Sequence, residues 1–261
     1  MQKKVEYRNI KFFDNVFNPL IKGAKTFELY STSYTKKIKG ADKSIIFNAE
    51  GHGDMSLLAL INKVRRDGKK FGSVDKYTFV PQFDLFRMPE EEDIIMKIDI
   101  KGAYWECAKK MGLLSKDTID FFDNKYNNVD SKYSKNIRLK ALGSLATKKI
   151  VERYLYGVKQ NELTTIQIED TRDTYMFVRH KIDELIRNVC YENPGVCYYY
   201  VDCLFVKKGI HSELAKKYIL DNGYKVTTEE TKIKTIMLGD TLYLESLSDK
   251  KRYLTRVNNL K

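Results

Sequence analysis

The sequence predicts a mixed α/β protein, an α/β sandwich that differs from a doubly wound nucleotide-binding fold. Three observations lead to this fold class. Strand-like runs alternate with helical patterns along the chain, and no strand is followed by the glycine-rich phosphate loop of a doubly wound nucleotide-binding fold. The chain has 261 residues, of which 43% are hydrophobic. It is therefore long and apolar enough to build one sizeable core or two small lobes.

The first part of the chain, residues 1–90, mixes short strands with one helix. Residues 44–47 and 77–80 have the composition of strands, and residues 55–64 repeat apolar side chains at helical spacing. The polar segment RMPEEED (87–93), which contains a proline, indicates a connection between two domains. We therefore divide the chain into an N-terminal region, 1–90, whose role the sequence does not reveal, and a second domain, 91–261.

The segment IIMKIDIKG (94–102) has the clearest strand pattern in the chain. Its apolar residues at even positions fall on one face, and Asp99 falls on the other face. Asp99 is thus expected to project from a sheet whose opposite face is buried.

Helices and strands alternate through the rest of the chain. Residues 106 to about 157 have a helical and basic pattern, and a second helix covers about 171–189. The sequence ENPG (192–195) marks a turn, after which YYYVDCLFV (198–206) is expected to be one strand with Asp202 near its middle. A helix at about 211–222 and strands near 235–238 and 242–247 come next, before the basic segment DKKRYLTRV.

The charge balance favours a polyanionic partner. Lysine and arginine total 47 against 35 acidic residues, which gives a net charge of +12 and a pI near 9.3. Nucleic acid and an anionic membrane surface are the partners that such a balance suits. A basic protein without a specific partner is the alternative that charge alone leaves open.

Three features indicate an intracellular protein that does not enter a membrane. The longest apolar run, residues 57–61, is far below the ~20 residues that cross a bilayer. The sequence MQKKVEYRNIKFF carries charges where a secretory signal would be apolar. The four cysteines lack the spacing of a zinc module, so we expect them to be buried free thiols in a reducing compartment.

Asp99 and Asp202 are each a single acid on an apolar strand. Taken singly, each would more often be a solvated or capping residue. A charge held near a sheet is costly unless something offsets it, and a divalent cation does so well. Two aspartates on neighbouring strands can bridge two Mg²⁺ ions about 3.5 to 4 Å apart, the arrangement that promotes nucleotidyl transfer.

Two motifs around these aspartates resemble the palm of family B DNA polymerases. DIKGAYW (99–105) is similar to the first palm motif, in which a small residue and then a tyrosine follow the aspartate at fixed distances. YVDCLFV (200–206) is similar to the second, with two possible registers. Aligning Asp202 with the second aspartate of that motif matches Cys203 and the apolar run, and Tyr200 then replaces the first aspartate. The resemblance implies that Asp99 and Asp202 are the catalytic metal ligands.

A third motif, DKKRYL (249–254), resembles the basic segment with which the family's palm grips the primer strand. The four residues KKRY (250–253) are weak evidence by themselves, but they fall in the expected place after Asp202. The resemblance assigns Lys250, Lys251, Arg252 and Tyr253 to primer binding.

The fingers match less well. The family places a lysine on a helix, followed by an asparagine and a tyrosine, toward the triphosphate. Lys140 corresponds to the lysine, with Arg138 as the competing candidate, and a solvated basic helix is the alternative. By their spacing Lys140, Ser144 and Thr147 would share a helical face.

Tyr104 stands where the family's tyrosine packs beneath the sugar and excludes a 2′-hydroxyl; ordinary aromatic packing is the equal alternative.

Together the motifs imply an α+β protein with a palm-like antiparallel sheet backed by helices and a shortened helical fingers insertion at about 106–160. The implied function is DNA-directed nucleotide addition to a primer with two Mg²⁺ ions, for which Mn²⁺ can substitute. Its partners would be primer–template DNA, nucleoside triphosphates and a protein that supplies the thumb. Too few residues precede Asp99 for the exonuclease motifs, so no proofreading is expected. A virus-encoded polymerase in the host cytoplasm suits this size. A primase and a non-catalytic nucleic-acid-binding module are the rival functions.

Overall fold

The computed structural model describes residues 4–32, 35–48, 55–72, 83–90, 92–126, 131–238, 241–248 and 250–254. Over these ranges the protein has seven α-helices and three β-sheets, and all but one of the strand pairs are antiparallel. The predicted α+β class, with an antiparallel sheet backed by helices, is confirmed. No helix within the described ranges combines the length and the apolar character needed to span a bilayer.

The elements follow one another along the chain in a mixed order. The helices are α1 (Phe13–Lys22), α2 (Met55–Phe71), α3 (Ala103–Lys110), α4 (Lys116–Tyr126), α5 (Ser131–Gly143), α6 (Arg172–Glu192) and α7 (Ile210–Asp221). The strands are β1 (Lys4–Asn9), β2 (Phe27–Ser31), β3 (Lys36–Lys39), β4 (Lys43–Asn48), β5 (Phe83–Leu85), β6 (Ile95–Ile100), β7 (Lys148–Leu155), β8 (Val158–Ile168), β9 (Val196–Tyr200), β10 (Cys203–Lys207), β11 (Val226–Thr231), β12 (Ile233–Leu238), β13 (Thr241–Ser246) and β14 (Arg252–Leu254).

The chain divides into two compact units, each made of two stretches of sequence. The first unit contains residues 1–72 and 114–175, and the second contains residues 73–113 and 176–261. The predicted division into 1–90 and 91–261, with a fingers insertion at 106–160, is a functional assignment and stays a prediction. The compact units cut the chain at other places.

The first unit is built on a six-stranded sheet with the order β1-β4-β3-β2-β7-β8. Helix α1 packs on one face of it, where Phe13 and Phe17 meet Phe27, Phe47 and Tyr154. The remaining helices α2, α4 and α5 pack against one another.

The second unit contains a five-stranded sheet with the order β11-β6-β10-β9-β5 and a three-stranded sheet with the order β12-β13-β14. Helix α7 packs against β6, β10 and β11, and α6 contacts β9 through Tyr199. The three-stranded sheet contributes Ile233, Leu244 and Tyr253 to a core shared with the larger sheet. The central strand β10 is therefore buried on both of its faces, and Leu204 and Phe205 are fully buried.

Three predictions of secondary structure are wrong in this fold. Residues 1–90 were expected to contain one helix, but their described part contains two, α1 and α2. Residues 148–157 were expected to be helical, but residues 148–155 form β7, because Tyr154 stacks on Phe27 with ring centroids 4.7 Å apart and the strand pairs with β2. YYYVDCLFV was expected to be one strand, but it forms the hairpin β9–β10, in which Tyr200 pairs with Cys203. A run that is apolar at every position hides a turn, because burial on both faces removes the alternating pattern.

The helices at 55–64, 171–189 and 211–222 and the strands at 44–47, 235–238 and 242–247 were predicted at the right places. The strand predicted at 77–80 lies outside the described residues. The four cysteines are buried free thiols, as expected.

Candidate active site

Asp99 is the second-last residue of β6, an interior strand of the five-stranded sheet. It pairs with Cys203 of β10 on one side and with Thr227 of β11 on the other. Its neighbours Ile98 and Ile100 are fully buried, whereas Asp99 itself is half-buried. The strand is thus anchored on both edges, and it holds this carboxylate at the end of a rigid element.

Asp202 lies in the two-residue turn between β9 and β10, not within a strand. The N–H of Ile100 donates a hydrogen bond to the carbonyl oxygen of Asp202 at 3.0 Å. Asp202 therefore lies across from Ile100, one step along the ladder from the pair formed by Asp99 and Cys203. Asp202 is half-buried, like Asp99. The two aspartates, about a hundred residues apart in sequence, are therefore close along the backbone, with Asp99 on β6 and Asp202 in the turn before β10.

The turn that holds Asp202 has an uncommon backbone. Val201 has φ of 60°, in the left-handed region that β-branched residues avoid. Such strain costs on the order of 1–3 kcal/mol and persists only where the surrounding structure imposes it. Here the flanking strands are buried and paired on both sides, so they hold the turn in this form. Backbone strain of this kind is concentrated at functional sites.

The two aspartates offer oxygen ligands, which suit a hard cation such as magnesium better than zinc or copper. Among the described residues, no group of three or more histidine, cysteine, aspartate or glutamate side chains is arranged to hold a metal ion. Magnesium is commonly bound through one or two carboxylates, with water and substrate phosphates as its other ligands. A pair of half-buried carboxylates at the end of a sheet fits that pattern. The two aspartates are the residues that would hold the ion.

Tyr104 lies on α3, close in sequence to Asp99. The helix begins after Gly102, which has φ of 61° and lets the chain turn sharply out of the strand. Ala103 and Trp105 are buried on this helix, and Tyr104 is half-buried between them. The side chain of Tyr104 thus has a solvent-accessible portion within one helical turn of the strand that carries Asp99.

The basic segment follows the turn between β13 and β14. Lys250, at φ of 54°, and Lys251 are exposed, and Arg252 forms an ion pair with Glu245 at 2.8 Å. Tyr253 is only 8% exposed, and its predicted contact with a primer stays a prediction.

The ring of Tyr253 links this basic turn to the hairpin that carries Asp202. Its centroid lies 5.4 Å from that of Tyr200 and 5.0 Å from that of Phe205. Tyr200 is two residues before Asp202. The three motifs therefore come together within the second unit, and Tyr253 is the side chain that joins the third motif to the second.

Lys140 and Arg138 belong to the first unit, on α5. Both are half-buried, and the guanidinium of Arg138 lies 5.6 Å from the ring centroid of Phe122. The helix ends at Gly143, and Ser144 begins a short 3-10 turn in which its hydroxyl donates to the carbonyl of Ala141. Thr147 is already extended. The helical face expected for Lys140, Ser144 and Thr147 is therefore not formed.

A buried polar network behind the hairpin was not predicted from the sequence. The hydroxyl of Tyr199 donates to Asp183 at 2.9 Å, and Arg187 donates to both Asp183 and Tyr199 at the same distance. Burial, together with the nearby carboxylate of Asp183, raises the pKa of Tyr199 above its ordinary value, so that its hydroxyl keeps the proton it donates. The spacing of four residues between Asp183 and Arg187 on α6 could have predicted their ion pair.

This network fixes β9 against α6. Arg187 also pairs with Asp84 of β5 at 3.7 Å. Since β9 leads directly into the turn that carries Asp202, the network determines where that turn begins.

Neither known protein families, nor curated proteins, nor solved structures give a match to this chain.

Proposed function

We propose that the protein is a DNA polymerase similar to family B, which extends a primer. One observation carries the proposal. Three motifs that are far apart in sequence meet in one unit, because Asp99 pairs beside Asp202 and Tyr253 packs on Tyr200. A chance likeness of short motifs gives no reason for them to lie together in the folded chain.

In this proposal Asp99 and Asp202 hold two Mg²⁺ ions. When bound, the ions promote attack by the primer 3′-hydroxyl and neutralise the charge that develops on the leaving pyrophosphate. The aspartates contribute by position. Asp99 sits on β6, which is paired on both edges, and the carbonyl of Asp202 accepts a hydrogen bond from Ile100 of the same strand, so the two backbones cannot move apart without breaking that contact. Fixed charge of this kind needs no reorganisation during the reaction.

Other residues bind and orient the substrates. Lys250, Lys251 and Arg252 offer positive charge to the primer phosphates, and the packing of Tyr253 keeps their turn close to β9. Tyr104 lies beneath the sugar of the incoming nucleotide and excludes a 2′-hydroxyl. The resemblance alone assigns Lys140, or Arg138 in the competing assignment, to the triphosphate; both residues belong to the first unit.

Primer extension by the purified chain with Mg²⁺ tests this function. We expect deoxynucleotides to be added to a primed template and an unprimed template to remain uncopied. Asp202→Asn should reduce extension by at least about a thousandfold, because metal charge stabilises the transition state by several kcal/mol. Binding to primed DNA should be unchanged or slightly tighter, since the lost carboxylate repels phosphate. Asp221→Asn, at the exposed end of α7, is the matched control and should extend normally.

The same assay separates the rival functions. Synthesis on the unprimed template with ribonucleotides would make the protein a primase. Binding without any synthesis would make it a nucleic-acid-binding module. Tyr104→Ala should raise ribonucleotide relative to deoxynucleotide incorporation by about tenfold, a typical effect of one contact in a specificity pocket. Full extension by Asp202→Asn would overturn the assignment of the active site.

A further inference from the structure

The six-stranded sheet of the first unit has two unlike faces. Alternate residues of its strands face α1 and form the aromatic core. The intervening residues lie on the other face, where the register aligns them in two rows. The first row contains Tyr7, Ile46, Lys37, Tyr30 and Val151.

The first row presents two aromatic rings separated by an aliphatic and a basic side chain. Tyr7 pairs with Ile46, Ile46 with Lys37, and Lys37 with Tyr30. All four are half-buried, so each keeps part of its surface in solvent. The Nζ of Lys37 lies 6.0 Å from the ring centroid of Tyr30. With strands about 4.8 Å apart, the two tyrosines are separated by roughly 14 Å.

The second row carries the charge, and it contains Val5, Ser44, Lys39, Glu28 and Arg153. Glu28 accepts from Lys39 at 3.1 Å and from Arg153 at 3.2 Å, so two cations share one carboxylate. The side chains of Lys39 and Arg153 are 42% and 52% exposed, against 25% for Glu28. Lys37 adds a further positive charge in the neighbouring row. The described part of this face therefore has positive charge that is more exposed than the carboxylate of Glu28.

Glu28 organises this row. The hydroxyl of Tyr30 donates to Glu28 at 2.7 Å. That hydrogen bond, aided by the charges of Lys39 and Arg153, holds the pKa of the Glu28 carboxyl below its ordinary value. Glu28 thus stays ionised and holds one ring and two cations in fixed positions. A cavity of about 410 Å³ opens beside Glu28, Lys39 and Arg153.

We infer that this face of the first sheet binds single-stranded nucleic acid, with bases stacked on Tyr7 and Tyr30 and phosphates bound by Lys37, Lys39 and Arg153. Aromatic rings set among exposed cations suit a strand whose bases are unpaired, because stacking needs an accessible base face and the cations need phosphate. A duplex hides its base faces, and an acidic peptide gives the rings nothing to stack on. This binding requires neither Asp99 nor Asp202, so it stands apart from polymerisation.

Fluorescence anisotropy with a short labelled oligothymidylate, using the full chain, tests the inference. Tyr30→Leu should weaken binding by roughly tenfold, since stacking on one aromatic ring is worth about 1–3 kcal/mol per base. Tyr30→Phe keeps the ring and loses only the hydroxyl, so it should bind within about twofold of the parent chain. A duplex of the same length should bind Tyr30→Leu and the parent chain equally.

Salt dependence tests the charged part. Replacing Lys37 and Lys39 together by alanine should lower the slope of log affinity against log salt by about 1.4, the value for two phosphate contacts on a single strand. The matched control is Lys216→Ala with Lys217→Ala on α7, which likewise contains one lysine paired with a glutamate. The control should leave the slope unchanged.

Several outcomes would overturn the inference. One is unchanged oligonucleotide affinity in Tyr30→Leu with a native circular dichroism spectrum. Should that variant fail to fold, Tyr7→Leu at the other end of the row makes the same prediction and decides the question. Competition by polyglutamate as strong as that by unlabelled oligonucleotide would show an acidic-peptide surface instead. Asp202→Asn should bind the oligonucleotide normally, whatever the result of primer extension.

Discussion

The two large sheets of this protein are covered differently. The five-stranded sheet of the second unit has α6 and α7 against one face and the three-stranded sheet against the other, and its half-buried carboxylates lie at the end of its central strands. The six-stranded sheet of the first unit has α1 on one face and half-exposed tyrosines and cations on the other. The covered sheet is suited to fixing a small group at one point. The half-open sheet is suited to contacting a long, flexible chain.

Ion pairs between side chains also stabilise the covered sheet, at the end opposite Asp99 and Asp202. Asp93, just before β6, is buried and accepts from Lys207, the last residue of β10, at 2.5 Å. Arg87 pairs with the same carboxylate at 3.3 Å. One end of the β6–β10 pair is therefore closed by an ion pair, while the other end carries Asp99 and Asp202. Rigidity at the first end keeps the two aspartates in register.

The largest expected effect is on the network that holds β9. Asp183→Ala leaves Arg187 and Tyr199 without their shared acceptor, and we expect the second unit to lose about 3–5 kcal/mol of unfolding free energy. Glu184→Ala, at the next position of α6, removes an exposed partner of Lys181 and should cost less than about 1 kcal/mol. Denaturant unfolding measures both values. Equal losses in the two variants would mean that the covered sheet does not depend on this network.

A smaller effect is expected from acid. The hydrogen bond from Lys207 holds the pKa of the Asp93 carboxyl below its ordinary value, against the effect of burial. In the first unit, burial raises the pKa of Asp67, but hydrogen bonds from Thr118 and Ser115 outweigh it and the pKa is lowered. Each carboxylate therefore contributes stability that is complete above the unfolded pKa of about 4 and is lost as pH falls through the lower folded pKa.

Salt should distinguish the two acids. Lys207 is 41% exposed, so added salt should weaken the contribution of Asp93 to acid sensitivity. The main donors to Asp67 are hydroxyls and a backbone N–H, and salt should leave its contribution nearly unchanged. Unfolding free energies of Asp93→Asn and Asp67→Asn, measured from about pH 2 to pH 6 at low and high salt, test this difference. Identical salt responses would contradict it.

The smallest expected effect compares the cations of the two units. Lys250→Ala combined with Lys251→Ala should reduce the salt slope for primed duplex by about 1.8, as for two duplex phosphate contacts. The same double substitution should leave the salt slope for a single strand unchanged. Replacing Lys37 and Lys39 should lower the slope for the single strand and leave the slope for the primed duplex unchanged. Anisotropy with both DNA probes measures the four slopes. Loss on both probes from either pair would mean that the two surfaces are not separate sites.

The sequence predicted those parts of the second unit whose pattern is local. Apolar and polar residues alternate in the strand around Asp99, and α6 and α7 repeat apolar residues at helical spacing. Each of these elements can therefore be predicted from a short window of sequence. The hairpin at Asp202 was missed because Tyr199, Leu204 and Phe205 are buried on both faces, which erases the alternation that would reveal a turn. The left-handed Val201 gives no sign in the sequence, since the sheet imposes its conformation.

The first unit was harder to predict because its sheet depends on distant pairing. The sequence of β7 has the pattern of a basic helix. Its strand conformation depends on pairing with β2, whose Phe27 stacks on Tyr154. The exposed rows of the sheet could not be predicted for the same reason, because Tyr7, Tyr30 and Lys37 lie on three different strands. By contrast, Asp99 and Asp202 were identified as a pair because their short motifs resemble those of a known family, and the structure has Asp202 in the turn beside the strand that carries Asp99.

Each unit is made of two stretches of sequence, and this arrangement determines the order in which their strands are synthesised. Asp99 leaves the ribosome about a hundred residues before Asp202, and the strands that bring them together, β9 and β10, come after nearly the whole of the first unit. The six-stranded sheet can close once β8 is made, while β6 still lacks its neighbours β10 and β11. Long-range strand pairing of this kind is slow and exposes unpaired edges. A nascent or truncated chain thus holds one aspartate without the other, and the carboxylate pair exists only after the second unit is complete.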